Sequence, residues 1–178
     1  MNNETGAGYI TLLLMRHGKS DWTAGAASDF DRPLNKRGRK ASARMGNWLL
    51  DNKLQPNKVI ASPALRSRDT ARIVAETIGL PDDKLILDAR LYHAGVAQHL
   101  AVLQECAAAD TPLLLVGHNP GLEELLDALC MNPPDTPKSG KMLPTAAVAV
   151  LHVPQALHAL QPGQALLREL IRPRALDD

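Results

Sequence analysis

Aromatic residues are nearly missing: one phenylalanine, two tryptophans and two tyrosines make up 3% of the 178-residue chain. A core built on stacked rings is thereby excluded, and Leu, Val, Ile and Ala must supply most of the buried surface. Cysteine occurs twice, at Cys106 and Cys130, with no metal-ligand spacing and too sparsely for a disulfide framework. Both read as small buried hydrophobes of a protein kept in a reducing compartment. An excess of either charge is also lacking, since 20 basic and 19 acidic residues leave a formal net charge of +1. That balance speaks against nucleic acid or a membrane as a partner held through bulk charge, although a small basic pocket fits inside a neutral total. No apolar run reaches membrane-spanning length. The stretch 9–15 is too short for a signal peptide and has no basic segment before it. A cytoplasmic protein is expected.

What is present suits an ordinary globular domain, with 45% hydrophobic and 22% charged residues. A single domain over 1–178 is expected, with 1–8 as a flexible N-terminal tail. Residues 10–15 are continuously apolar, the pattern of a strand buried on both faces. A polar loop over 19–33 follows, and Asn35 is placed to cap a helix carrying Ala41, Met45, Trp48 and Leu49 at helical spacing. Residues 58–61 read as a strand, and Ser62-Pro63 as the cap and first position of a second helix lined by Ala71, Val74, Ala75 and Ile78 and closed by Gly79. Strand 85–87 and a helix with Val96, Leu100, Leu103 and Ala107 come next. Strand 113–116 leads into a helix striped by Leu122, Leu125, Leu126 and Leu129. The segment 132–144 holds four prolines and must be irregular. Strands are expected over 146–153 and 165–172. This alternation predicts an α/β fold, a three-layer α/β/α sandwich with a largely parallel central sheet.

Two basic or histidine-bearing turns stand at the C-terminal ends of predicted parallel strands: Arg16-His17-Gly18 and Gly117-His118-Asn119-Pro120-Gly121. Ligands of open α/β sheets bind outside such strand ends, so the two histidines can share one site. A third junction, Ser62-Pro63-Ala64-Leu65-Arg66, puts Arg66 in the first turn of a helix, where free amides and the helix dipole favour anions. Two arginines and two histidines around a helix start suit a phosphoryl group. Guanidinium forks match phosphate oxygens. A neutral imidazole can attack phosphorus and carry the group covalently. With the arginines neutralising the phosphate, no metal and no cofactor is needed.

Three ordered elements then resemble the histidine phosphatase (phosphoglycerate mutase-like) superfamily, and within it the short SixA-type phosphohistidine phosphatases. They are Leu14-Met15-Arg16-His17-Gly18-Lys19-Ser20-Asp21-Trp22, Ser62-Pro63-Ala64-Leu65-Arg66 with Thr70-Ala71, and Val116-Gly117-His118-Asn119-Pro120-Gly121. The segment Arg32-Pro33-Leu34-Asn35-Lys36-Arg37-Gly38 and the pair Leu91-Tyr92 fit the same group. The resemblance implies His17 as nucleophile, Arg16 and Arg66 as phosphate clamps, and His118 as a second histidine donating to the phosphate. Asn119 would add a hydrogen bond. It also implies a phosphorylated protein, a phosphohistidine carrier, as substrate. One departure stands out: the wider family's mutases and phosphomonoesterases resemble one another in a glutamate after the third strand. This chain has Asp82, Asp83 and Asp88 there but no Glu between Leu80 and His99. The absence favours a phosphoramidate, whose nitrogen leaves more readily than an alkoxide.

The competing readings are a small-molecule phosphomonoesterase with the same nucleophile and a non-catalytic phosphopeptide-binding module. His93, His99, His152 and His158 read as solvated or locally satisfied, and Trp22 as a loop packing residue. Asp21 and Glu123 read as structural groups at a loop and a helix start, with proton donation as the alternative. The segment 132–144, carrying Lys138 and Lys141, reads either as a surface bordering the substrate protein or as a plain connector.

Overall fold

Leu12, Leu13, Leu14 and Met15 are all buried, so the strand that carries them, β1 (Tyr9–Arg16), is covered on both faces. Side chains alternate along a strand. Leu12 and Leu14 accordingly enter one apolar cluster, and Leu13 and Met15 enter another on the opposite side. The structure, a computed structural model, describes residues 8–135, 137 and 140–176. The expected tail over 1–8 thus lies, apart from Gly8, outside the described residues.

After β1 come α1 (Lys36–Asp51), β2 (Lys58–Ala61), α2 (Leu65–Ile78), β3 (Leu85–Leu87) and α3 (Val96–Gln104). The chain continues through β4 (Leu113–Gly117), α4 (Gly121–Leu129), β5 (Val148–Pro154) and β6 (Leu166–Ile171). One six-stranded sheet has the order β3-β2-β4-β1-β5-β6. The four strands β3, β2, β4 and β1 are parallel, while β5 and β6 run antiparallel along one edge. Met45 and Leu49 of α1 and Ala71 and Val74 of α2 pack into the Leu13 face. Leu103 of α3 and Leu122, Leu125, Leu126 and Leu129 of α4 fill the Leu12 face. The result is the three-layer sandwich expected, with an almost wholly aliphatic interior.

Several boundaries differ from the expectation for identifiable reasons. The second helix starts at Leu65, with Ala64 and not Ser62 as its cap. The Ser62 hydroxyl is engaged elsewhere, bonded to His118 and accepting from the Ala64 amide. The amide of Leu65 donates to the Phe30 carbonyl at 2.9 Å, so that helix start is closed by the preceding loop. Ala107 lies beyond α3, because the amides of Glu105 and Cys106 turn to carbonyls three residues back and the Asp110 carboxylate takes the Ala107 amide. The strand expected from residue 146 starts at Val148 instead. Ala146 sits at φ +62, and its amide faces the carbonyls of both Arg16 and His17. Asn35 caps α1 as expected, its side chain accepting from the Gly38 amide. Gly79 ends α2 in the left-handed conformation.

Register places the site. In the parallel pairing of β1 with β4, Leu14 faces Leu115, Met15 faces Val116 and Arg16 faces Gly117. The next residue on each strand is a histidine. His17 and His118 therefore leave the sheet side by side, tied by a hydrogen bond from the His17 amide to the Gly117 carbonyl. The turn after β1 lies against the first turn of α1 with no room for a side chain: a Cβ on Gly38 would come 2.2 Å from the Lys19 carbonyl oxygen. Gly121 is equally confined, since a Cβ there would stand 1.9 Å from the Ala94 carbonyl oxygen.

Candidate active site

A cavity of about 440 Å³ opens at the C-terminal ends of β1, β2 and β4. Arg16, His17, Arg66, His118 and Asn119 all line it, so the structure brings every sequence-predicted site residue into one pocket. Arg32, Ser20 and Trp22 enter from the loop after β1, and Lys141, Pro144 and Thr145 from the segment before β5. No carboxylate lines the cavity among the described residues.

His17 is fixed in orientation and tautomer. Its Nδ1 stands 2.7 Å from the Gly18 carbonyl oxygen, an acceptor only, so that nitrogen carries the proton. Its Nε2 is left with a lone pair, and the Arg66 Nε–H points to it at 3.4 Å. The Gly18 turn is itself held, its amide donating to the Thr70 hydroxyl at 2.9 Å while that hydroxyl bonds to the Arg66 carbonyl at 2.7 Å. Burial lowers the His17 imidazole to about 3, with the Gly18 carbonyl opposing and the charges of Arg66, Arg16 and Arg32 assisting. The ring is therefore neutral at ordinary pH, in the state a nucleophile requires.

His118 stands with its ring centroid 5.1 Å from that of His17. Its Nε2 lies 2.8 Å from the Ser62 hydroxyl, and its buried Nδ1 has no partner among the described residues. Burial also brings His118 to about 3, followed by the neighbouring charges of His17 and Arg66, against the opposing Asp29.

The arginines are positioned by different elements. Arg16, the last residue of β1, donates through Nη1 to the Leu143 carbonyl at 3.1 Å, and its buried Nε has no partner among the described residues. Burial holds its guanidinium below the usual value, with Glu123 acting in the other direction. Arg66, in the first turn of α2, is only 5% exposed. It donates to the Asp29 carbonyl at 2.6 Å and to the Asp29 carboxylate at 2.9 Å. Desolvated guanidinium groups around an open cavity favour an incoming anion.

Sequence reasoning gave no role to Arg32 or Asp29, which the structure places in the same assembly. Arg32 donates to the Ser20 hydroxyl and, at 2.7 Å, to the Asp29 carboxylate, and its guanidinium lies 3.6 Å over the Trp22 ring. The Tyr92 hydroxyl donates to Asp29 at 3.0 Å. Burial alone would raise the Asp29 carboxyl, but the bonds from Arg32, Tyr92 and Arg66 outweigh it and hold it well below the usual carboxylate range. The Arg32-Pro33-Leu34 segment was the available signal for Arg32. Nothing in the loop sequence separates Asp29 from Asp31.

The remaining candidates resolve into structural roles or distance from the cavity. The Glu123 carboxylate accepts from the Asn119 side-chain amide and the Leu143 amide, both at 2.8 Å. Asn119 also donates to the Leu143 carbonyl at 3.0 Å. The end of the 132–144 segment is thus latched to the site through the Leu143 backbone, and Lys138 lies outside the described residues. Asp21 accepts from Thr23, and Asp88 from Arg90. His99 is not solvated but 1% exposed; it is locally bonded through Nδ1 to the Gly95 carbonyl, with Nε2 unpartnered among the described residues. Trp22, a cavity-lining residue, is 78% exposed and carries the Arg32 guanidinium on its ring. Cys106 and Cys130 are free and buried.

A model of the histidine phosphatase superfamily (branch 1) matches residues 12–100. The chain is 33% identical over 144 residues to phosphohistidine phosphatase SixA of Escherichia coli (strain K12), covering 79% of this chain and 83% of that protein. It is 30% identical over 145 residues to an uncharacterized protein of Mycobacterium leprae (strain TN), covering 78% and 87%. Among solved structures, the protein histidine phosphatase SixA complexed with tungstate matches with a TM-score of 0.76 at 28% identity, covering 94% of this chain and 100% of that one. The family match starts within β1, runs through α2 and ends in α3, and the chain belongs to the histidine phosphatase superfamily, as a phosphatase.

Proposed function

We propose that this protein removes the phosphoryl group from phosphohistidine on a protein, through a covalent phosphohistidine at Nε2 of His17. The observation that carries this reading is the pairing of a neutral, rigidly oriented imidazole with Arg16, Arg32 and Arg66 in a cavity that no described carboxylate lines. The Nε2 lone pair attacks phosphorus, the P–N bond to the substrate imidazole breaks, and that imidazole leaves as its nitrogen takes a proton from solvent. The arginine donors hold the phosphoryl oxygens as charge redistributes among them. With the Ser62 hydroxyl donating to Nε2 of His118, Nδ1 is that ring's available donor to the phosphoryl group. Water then attacks phosphorus, the P–Nε2 bond breaks, and inorganic phosphate departs with His17 restored.

A nitrogen leaving group matches the lining. Asp29 is the carboxylate bonded to Arg32 and Arg66, and its hydrogen bonds keep it ionised, so it holds no proton to give an alkoxide. Two of the matches add support. SixA of Escherichia coli is a phosphohistidine phosphatase, and the SixA structure was obtained with tungstate, a tetrahedral oxyanion like phosphate.

The test is a rapid-quench labelling experiment with a ³²P-phosphohistidine protein. The label on the enzyme should be lost in acid and kept in alkali, and His17→Ala should abolish both label and turnover. A label stable in acid, on serine or threonine, would overturn the reading.

A further inference from the structure

We propose that a basic groove beside the catalytic cavity docks an acidic segment of the phosphorylated protein, close in its sequence to the phosphohistidine. This rests on the protein-phosphohistidine reading above and adds what selects the substrate. The groove has a volume of about 530 Å³ and is lined by Lys19, Arg37, Lys40, Arg44, Arg172 and Arg174. It contains six cations and no acidic side chain among the described residues, in a chain whose formal net charge is only +1. Basic charge is concentrated here out of proportion to the whole.

The arrangement follows from three elements meeting. Arg37, Lys40 and Arg44 recur at helical spacing on one face of α1, with Ala41 between them. Arg172 and Arg174 follow β6, and Lys19 follows the His17 turn. Arg44 donates to the Pro173 carbonyl at 3.2 Å, which ties the segment after β6 to α1. Lys19, Arg37, Lys40, Arg172 and Arg174 form no ion pair with any described residue. Arg90, by contrast, is paired with both Asp88 and Glu105. Like charges gathered without partners repel one another, and an acidic ligand relieves that repulsion.

Continuity sets what the occupant is. Lys19, Pro144 and Thr145 line both the groove and the catalytic cavity, so a chain whose phosphohistidine enters one can run on into the other. The cations come from three separate stretches of chain, which suits carboxylates distributed along a polypeptide better than a single small anion. Proline and alanine between the charges give that polypeptide an apolar floor.

A matched pair of phosphohistidine peptides tests this, one with four glutamates on either side of the phosphohistidine and one with lysines in their place. Wild-type enzyme should favour the glutamate peptide by about ten-fold or more in kcat/KM, mostly through KM, with the preference shrinking as salt is raised. Arg37→Glu/Lys40→Glu should abolish or invert that preference while leaving turnover of p-nitrophenyl phosphate unchanged. Arg37 stands in the first turn of α1, where an acidic residue suits the helix dipole, so the variant should fold. Equal rates on the two peptides in wild type would overturn the groove. So would a variant that loses aryl phosphatase activity in step with peptide turnover. Hydrolysis of p-nitrophenyl phosphate with neither peptide accepted would instead defeat the phosphohistidine reading on which the groove depends.

Discussion

The Asp29 carboxylate lies 2.9 Å from Nη2 of Arg66, on the same guanidinium whose Nε points at Nε2 of His17 from 3.4 Å. A loop residue thereby aims an arginine from a different element at the proposed nucleophile. Asp29 also binds Arg32 and Tyr92, so one carboxylate sets two guanidinium groups. We expect Asp29→Ala to lower kcat/KM by about ten-fold or more through misplacement of the clamp. Steady-state kinetics with p-nitrophenyl phosphate checks this, alongside thermal unfolding to show that the fold persists. Unchanged kinetics would mean that Arg66 is held by its burial alone.

Replacing either clamp should be far more costly than replacing its supports. Arg16→Ala and Arg66→Ala are each expected to remove about 2–4 kcal/mol of transition-state stabilisation. Lysine at either position should recover little, because a point charge cannot reproduce a planar fork. The measurement is kcat/KM for each variant, and recovery to near wild type by Arg66→Lys would contradict a bidentate role.

Glu123 offers a discriminating substitution. If it is a latch for Asn119 and Leu143, Glu123→Gln keeps an accepting oxygen and should retain most activity. Glu123→Ala should destabilise the protein by about 1–3 kcal/mol, since it leaves buried donors unpaired. A proton donor would behave in the opposite way, with glutamine as damaging as alanine. In the same spirit, if no acid assists the leaving group, proton assistance worth about 10²–10⁴-fold is forgone, and rates across a series of substituted phenyl phosphates should depend steeply on leaving-group pKa. A flat series would reveal an acid.

The two buried histidines make stability depend on pH with a definite sign. In the unfolded chain each binds a proton near 6.5, whereas burial first of all lowers both to about 3 in the folded protein. Between those values the unfolded state holds more protons, so stability is full above about 6.5 and is lost as pH falls towards 3. Each histidine contributes at most about 1.4 kcal/mol per pH unit within that window. Thermal unfolding from pH 7 to pH 5 should show a falling Tm, with a shallower fall in His118→Asn. Identical slopes for variant and wild type would refute this assignment.

The sequence by itself determined the α/β class, most strand and helix positions, and the turns that carry Arg16, His17, Arg66, His118 and Asn119. Those features are local. The continuous apolar run of β1 and the leucine stripe of α4 depend on periodicity, and a strand end followed by a histidine is legible in one dimension. The tertiary structure alone decided what depends on residues far apart in the chain. Ser62 serves His118 from 56 positions away, and its helix starts further on, with Ala64 as the cap. Asp29 and Asp31 look alike in the loop, and only the approach of Arg66 and Tyr92 separates them. Leu143 is anchored at the site because Arg16, Asn119 and Glu123 all reach its backbone. The basic groove is likewise a product of packing, since its cations come from three stretches of chain that approach one another only when α1 and the end of β6 dock. Helical or strand spacing cannot report such neighbours, because burial and charge at these points are set by the partner across the gap and not by the residue next in line.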